Sequence, residues 1–390
     1  MLCCIFLYQL SNYCSTIKSG FTYTEHNSIF GLEGIWDSIL NDNHCLNSSE
    51  LKILELAKPA DLRFRYLLLH QNNILCGVIY LQHLQLSSNY FDGTILNKPG
   101  LGWLKKFVNK QFEEILICGN LFRIHMPGYF MVNGGNDSEV FQILDHYFKH
   151  NKDRSNFCGI ILKDCPHELN NTRPFKAFND DITMELDINP VWNSFKDYQN
   201  SLSKKYRQRC AKIQKSGDPL VLKSLTLDEM QENAPQIEKL YLNVALKQSL
   251  RIGLVNAEYF IEMKRKYQHN FDFRAYFLDG KMVAFSTHIF YPNNTMEIHF
   301  IGLDYEYNLS YCLYFNILFS AVEVAIEKKV TKLELGRTAR TAKASLGAKS
   351  LKVHNYLYLK RGIPSLAFSF FNYWFGKQMG DDWQERQPFK

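Results

Sequence analysis

No Cys-x-x-Cys pair occurs among the 10 cysteines of this chain, and no cysteine–histidine array has zinc-ligand spacing. A zinc module and a thioredoxin-like redox site are therefore excluded, and no metal is expected. Cys76, Cys118 and Cys158 lie inside apolar, strand-like runs, where a thiol acts as a small hydrophobe. Free thiols and a reducing, cytoplasmic compartment are expected. Nor does any run reach the roughly 20 apolar residues needed to cross a bilayer. The N-terminal MLCCIFLYQL is short and lacks the charged leader and small-residue cleavage site of a signal peptide. The stretch PSLAFSFFNYWF (364–375) reads as a buried C-terminal helix that would at most touch a membrane surface, and the run 311–326 is interrupted by Asn316, Ser320 and Glu323. Low-complexity sequence is absent, and the 46% apolar and 22% charged shares are those of a globular protein.

An excess of charge is also missing from the first half. Residues 1–180 carry 16 Lys and Arg against 17 Asp and Glu, whereas residues 181–390 carry 29 against 22. The whole net charge of +6 resides in the second half. A positive field of that size attracts a phosphorylated ligand or an anionic surface without choosing between them. No nucleic-acid partner is expected.

What the chain does contain is an internal echo. Residues 62–86 are two strand-like runs around Gln71-Asn72-Asn73, and residues 271–291 are two more around Asp279-Gly280, a strong hairpin signal. Each pair follows helical segments, at 34–42 and 49–57 in the first half and at 226–248 and 256–269 in the second. Each half then has an apolar strand ending in glycine and a polar residue, ILICGN (115–120) and KLELGR (332–337). The same order twice implies a duplicated α/β module. The boundary is expected in the polar stretch 166–180, giving modules 1–172 and 173–390. Mixed sheets with helices on their faces are the expected architecture. A helix over 311–328 is predicted, with Ser310 as its N-cap.

The segments SLSKKYRQR (201–209) and ELGRTARTAKASLGA (334–348), together with ILICGN, resemble the FemAB-like and BioF-type members of the GNAT superfamily of acyltransferases, whose chains carry two GNAT-like halves. The resemblance covers roughly residues 30–360. It implies an N-acyltransferase using acyl-CoA or a related thioester as cosubstrate, with direct attack of an amine in a ternary complex. A small molecule or a cell-wall precursor would be the amine acceptor. Two features depart from the pattern. The Gly-rich pyrophosphate loop is replaced by DYEYNLS (304–310), and the coiled-coil arm of tRNA-dependent Fem transferases is missing after residue 210. A Fem-type aminoacyl-tRNA-dependent transferase and a non-catalytic GNAT-fold binding protein remain the alternatives.

Candidate residues follow from strand alternation. With a two-residue Asn293-Asn294 turn, His288 faces His299 and Phe290 faces Glu297. One sheet face would then carry Ser286, His288, Glu297 and His299. His299 or Glu297 would act as general base, with His288 in the acceptor pocket; a hydrogen-bonded or solvated sheet face fits the same residues. Arg337 follows a strand end, where ligands of open α/β sheets gather, and would hold a carboxylate or phosphate with Lys343 nearby. Tyr206 and Arg207 match the resemblance best within the basic segment 203–215 and are substrate-binding candidates. Asn308, Leu309 and Ser310, placed just before a helix, would offer N–H groups to a cosubstrate phosphate.

Overall fold

The computed structural model describes residues 15–16, 20–85, 114–132, 137–151, 157–165, 167–169, 172–177, 181–247, 253–360 and 383–390. The N-terminal MLCCIFLYQL and the segment 364–375 lie outside the described residues.

Among the described residues, fifteen strands form one mixed sheet. In chain order they are β1 (Ser15–Thr16), β2 (Phe21–His26), β3 (Leu62–Gln71), β4 (Ile74–Gln85), β5 (Glu114–Cys118), β6 (Tyr129–Met131), β7 (Phe157–Cys165) and β8 (Lys176–Ala177). There follow β9 (Asp181–Asp187), β10 (Val221–Ser224), β11 (Phe271–Leu278), β12 (Lys281–Phe290), β13 (Thr295–Leu303), β14 (Lys332–Glu334) and β15 (Lys349–Leu359). The spatial order is β1-β2-β3-β4-β5-β7-β15-β9-β14-β13-β12-β11-β10, with β6 beside β4 and β8 beside β15.

The order reads the same from both ends. Strands β2 to β5 are mutually antiparallel, and β5 then takes β7 as a parallel neighbour. Strands β10 to β13 are antiparallel, and β13 takes β14 in parallel. In the middle the second half reaches across to the first. β9, a strand of the second half, pairs with β14 of the same half. β15 pairs with β9 through residues 349–353 and with β7 through residues 354–359.

The hairpins arise from turn chemistry. Asn72 and Asn73 (φ 51° and 62°) and Asp279 and Gly280 (φ 49° and 80°) all take left-handed backbone, as two-residue primed turns require. Capping boxes start the helices Phe195–Ser201 (Ser194 with Asp197) and Leu227–Glu232 (Thr226 with Glu229).

One hydrophobic core is shared. Ile29, Trp36, Leu54, Tyr66 and Tyr80 of the first half and Leu240, Tyr259, Phe260 and Phe285 of the second belong to a single buried cluster. The helices Ser48–Ala57 and Ala257–Tyr267 meet there, joined by Asn256 Nδ2 donating to the Ala57 carbonyl at 2.7 Å. Separate clusters cover the opposite faces, one built on Phe141 and Leu144, the other on Met184 and Val322.

Two expectations are corrected. The helix expected at 311–328 runs Leu313–Glu327, but it is preceded by a separate helix, Tyr305–Tyr311, with Cys312 in left-handed conformation between them. Asp304 caps the first through its side chain, so Ser310 lies inside a helix and is not its N-cap. The connection between β12 and β13 is also longer than two residues. Phe290 pairs with Met296 and His288 with Ile298, one step from the predicted register. Among the described residues no single helix is long and apolar enough to cross a membrane. The Tyr305–Tyr311 and Leu313–Glu327 pair passes only when taken together, and it is bent by 69°.

Candidate active site

The two parallel pairs differ in one respect. All five residues of β5 pair along β7. Of the nine residues of β13, only Thr295, Met296 and Glu297 pair with β14. Beyond Glu297 the strands part, because β14 ends at Glu334 and the chain turns through Gly336 at φ 81°. A notch therefore opens in the second half, where the edge of β13 presents main-chain groups that require a partner. A bulge shapes this edge. His299 and Phe300 together oppose Thr287 alone, and the Thr287 hydroxyl accepts the Phe300 N–H at 2.9 Å.

Carboxylates line the sheet at the notch. Glu297 neighbours Glu334 across β13 and β14, and Glu334 neighbours Glu185 on β9. Each has a counter-group. Glu185 takes Lys332 at 2.8 Å. Glu297 takes His299 Nδ1 at 2.8 Å and the Tyr291 hydroxyl. Glu334 lies 3.5 Å from His125 Nε2 and accepts from the Gly336 N–H at 2.8 Å and from Thr183.

Glu297, His299 and Tyr259 form a buried relay. Burial alone would raise the Glu297 pKa, but the His299 hydrogen bond, with help from the Arg123 charge, brings it down to about 2. Burial lowers the His299 pKa despite the neighbouring carboxylate, which keeps the imidazole neutral. A carboxylate only accepts, so Nδ1 carries the proton, and Nε2 accepts from the Tyr259 hydroxyl at 2.7 Å. Burial pushes the Tyr259 phenol well above its ordinary value, so it remains a donor. The relay continues into the first half. Tyr291 accepts from Arg123 at 2.7 Å, and Arg123, from the loop after β5, also meets Tyr267 and forms a buried ion pair with Glu50.

The structure brings Glu297 and His299 together as the alternation implied, but not His288. The register step turns His288 to the opposite face, where it meets Ser286 Oγ at 3.1 Å and burial drives its pKa down to about 3. Arg337 does stand at the end of β14, but its guanidinium pairs with the buried Asp164 of β7. The Lys163 and Arg337 charges overcome the effect of burial and hold the Asp164 carboxyl below its usual range. Lys343 is buried close by; a Cβ placed on Gly336 would lie 3.7 Å from its Nζ. Tyr206 packs into the cluster on the opposite face, and Arg207 donates to the Leu202 carbonyl at 3.3 Å, so neither joins the notch. Asn308, Leu309 and Ser310 occupy a helix rather than the loop before one. Asn308 Oδ1 caps the next helix at Tyr314 N–H, 3.0 Å away, and Leu309 is 88% exposed.

Sequence reasoning missed Tyr259, Arg123, Glu50, His125 and Glu334. Glu334 had a readable signal, a carboxylate in the middle of the apolar strand KLELG. The others act across long sequence separations and leave no local mark.

No protein-family model matches the chain, and no curated protein does. Solved structures do. FemX aligns at 10% identity over 89% of this chain and 99% of its own, with a TM-score of 0.50. N-myristoyltransferase from Saccharomyces cerevisiae, solved with myristoyl-CoA bound, aligns at 11% identity over 90% of this chain and 81% of its own, with a TM-score of 0.51. The chain shares the fold of these two proteins. The two ends of the sheet order repeat one strand pattern, and the β13–β14 notch belongs to the second.

Proposed function

We propose that the protein is an N-acyltransferase that moves an acyl group from acyl-CoA, or a related thioester, to an amine acceptor in the cytoplasm. The division into halves at 172/173 is part of this reading, as is a small molecule or cell-wall precursor as acceptor. The observation that carries it is the parting of β13 from β14 immediately beyond Glu297. A thioester in that notch would meet main-chain N–H groups of β13, which are suited to stabilising an oxyanion. His299 would accept a proton through Tyr259, and Glu297 would hold the resulting imidazolium, as general-base catalysis requires. The acceptor nitrogen bonds to the acyl carbon, the carbon–sulfur bond breaks, and the thiol departs with a proton.

The likeness to FemX favours a second reading, transfer of an aminoacyl group from tRNA. The short link from the helix Lys204–Gly217 to β10 at Val221 weighs against it, since a coiled-coil arm has no place there. Two measurements on the full chain decide: thermal shift with acyl-CoAs of increasing chain length and with aminoacyl-tRNA, and thiol release from acyl-CoA in the presence of amines. Stabilisation by acyl-CoA with amine-dependent thiol release supports the proposal. Stabilisation by aminoacyl-tRNA alone supports the second reading. Silence toward both leaves a non-catalytic binding protein and refutes the transferase.

A further inference from the structure

The loop between β5 and β6 sends a histidine from the first half into the notch of the second. His125 sits in left-handed backbone at φ 55°, a conformation that costs a non-glycine residue strain and persists only where the surroundings impose it. The surroundings do. Gly119 and Pro127 bridge across the base of the loop, Tyr80 N–H bonds the Gly128 carbonyl at 2.6 Å, Gln82 accepts from the Leu121 N–H at 2.8 Å, and Lys163 Nζ bonds the Arg123 carbonyl at 2.8 Å. The loop also comes near the far wall, since a Cβ placed on Gly336 would lie 3.9 Å from Ile124.

The result is a dyad built from both halves. His125 Nε2 lies 3.5 Å from Glu334 Oε2, and the His125 side chain is 48% exposed while that of Glu334 is 4% exposed. Glu334 Oε1 is engaged by Gly336 and Thr183, but the buried Oε2 has no hydrogen-bond partner. A buried carboxylate oxygen short of a donor, beside a half-exposed imidazole at the mouth of the notch, has the form of a site for an ammonium group. The geometry points to His125 and Glu334 as the acceptor-amine site, Glu334 holding the ammonium and His125 removing its proton. This rests on the transferase reading. The Glu334 carboxylate beside it raises the His125 pKa above its ordinary value, with the Asp164 charge acting the same way and burial and Arg337 against it.

The step balances. Neutral His125 takes one proton from R–NH3⁺. The free amine attacks the thioester carbon, forming the carbon–nitrogen bond as the carbon–sulfur bond breaks. The second nitrogen proton passes through Tyr259 to His299 and from there to the departing thiolate, and His125 releases its proton to water.

Two variants test this in the full chain. His125→Asn suits the left-handed backbone, since Asn is among the residues that tolerate it, and so removes the base without straining the loop. Glu334→Gln keeps the shape and removes the charge. With acyl-CoA and a primary amine, His125→Asn should lower kcat about 100-fold, the scale of a lost general base. It should also abolish the rise of rate with pH through the histidine's pKa. Glu334→Gln should act mainly on the amine KM. Full turnover and an unchanged pH profile in His125→Asn, with an active parent, would overturn the dyad and leave the transferase reading intact. If the parent releases no thiol, that reading fails and a separate readout still decides the dyad. The imidazole Cε1–H resonance of His125, assigned by its loss in His125→Asn, should move on titration with n-butylamine in the parent but not in Glu334→Gln. No movement in the parent would sink the proposal.

Discussion

Replacing Arg123 with Met should expose how far the second half depends on the first. The side chain is 5% exposed, as is fitting for a guanidinium paired with the similarly buried Glu50. It also donates to Tyr291 and Tyr267, and Tyr291 in turn donates to Glu297. Methionine keeps much of the apolar stem and removes the charge. Taking one partner from a buried ion pair typically costs about 3–5 kcal/mol, because the other stays buried and unpaired. With an unfolding entropy of about 2.1 cal/mol/K per residue, a loss of about 4 kcal/mol lowers Tm by about 5 °C in a 390-residue chain that unfolds as one unit.

The pH dependence gives a second, independent signature. In the native protein Glu297, held at about 2 against an ordinary 4.5, contributes stability above pH 4.5 and loses it as the pH falls toward 2. Without Arg123 that depression shrinks, so the variant has less to lose on acidification. The gap between parent and variant should be widest near pH 7 and narrow below pH 4.5. Urea unfolding at pH 7 and pH 4 measures both. The double variant Arg123→Met/Glu50→Gln should recover part of the loss by removing one stranded charge. A single variant within 1 kcal/mol of the parent, or a gap that does not change with pH, refutes the reasoning.

Three further outcomes are expected. Gly128→Ala should destabilise the loop base severely, since its Cβ would fall 2.1 Å from the Gly119 nitrogen and 2.5 Å from the Cys118 carbonyl carbon, backbone atoms that cannot yield; wild-type Tm would contradict this. His288, lowered to about 3 by burial, refuses a proton that the unfolded chain accepts near 6.5, so folding should lose about 1.4 kcal/mol per pH unit below 6.5, or about 2 kcal/mol by pH 5. His288→Asn should remove that slope in urea titrations at pH 7 and 5, and an unchanged slope would assign it elsewhere. Tyr259→Phe strips the donor from His299 Nε2, should cost about 1–3 kcal/mol for the stranded buried acceptor, and should lower thiol release if the relay moves the proton; full turnover would remove Tyr259 from the proton path.

The hairpins were legible because their turns are written in residue types that accept left-handed backbone, and the apolar strands ILICGN and KLELG were legible as the next strand of each half, though not their parallel direction. The register at the β12–β13 turn was not legible. Pro292-Asn293-Asn294 serves two-residue and three-residue connections alike, and the structure uses three, with Asn294 left-handed at φ 58°. The bulge at His299 and Phe300 then restores the predicted pairing, so that Ser286 faces Ile301 as the two-residue turn would have placed it. Two one-residue shifts cancel, leaving only the stretch around His288 out of step. Alternation along β13 still placed Glu297 and His299 on one face, because a strand's own pleat does not depend on its neighbour.

The counter-charges show why the rest was invisible. A row of carboxylates in the middle of a sheet is tolerable only if cations reach it. Lys332 answers Glu185 from the same half, but Glu297 draws on Arg123 and Glu334 on His125, both from one loop of the first half. That loop follows β5, which runs fully beside β7 and leaves no notch of its own. The first half therefore has a closed strand pair where the second has an open one, and its loop is committed to the other half's opening. Holding a cation in place across two modules requires the modules to be fixed against each other. β15 provides this, because it is hydrogen-bonded to β7 of the first half through residues 354–359 and to β9 of its own half through residues 349–353. The second half could not then be cut away without stripping β15 from β7 of the first, and the residues that complete the notch are likewise drawn from both halves.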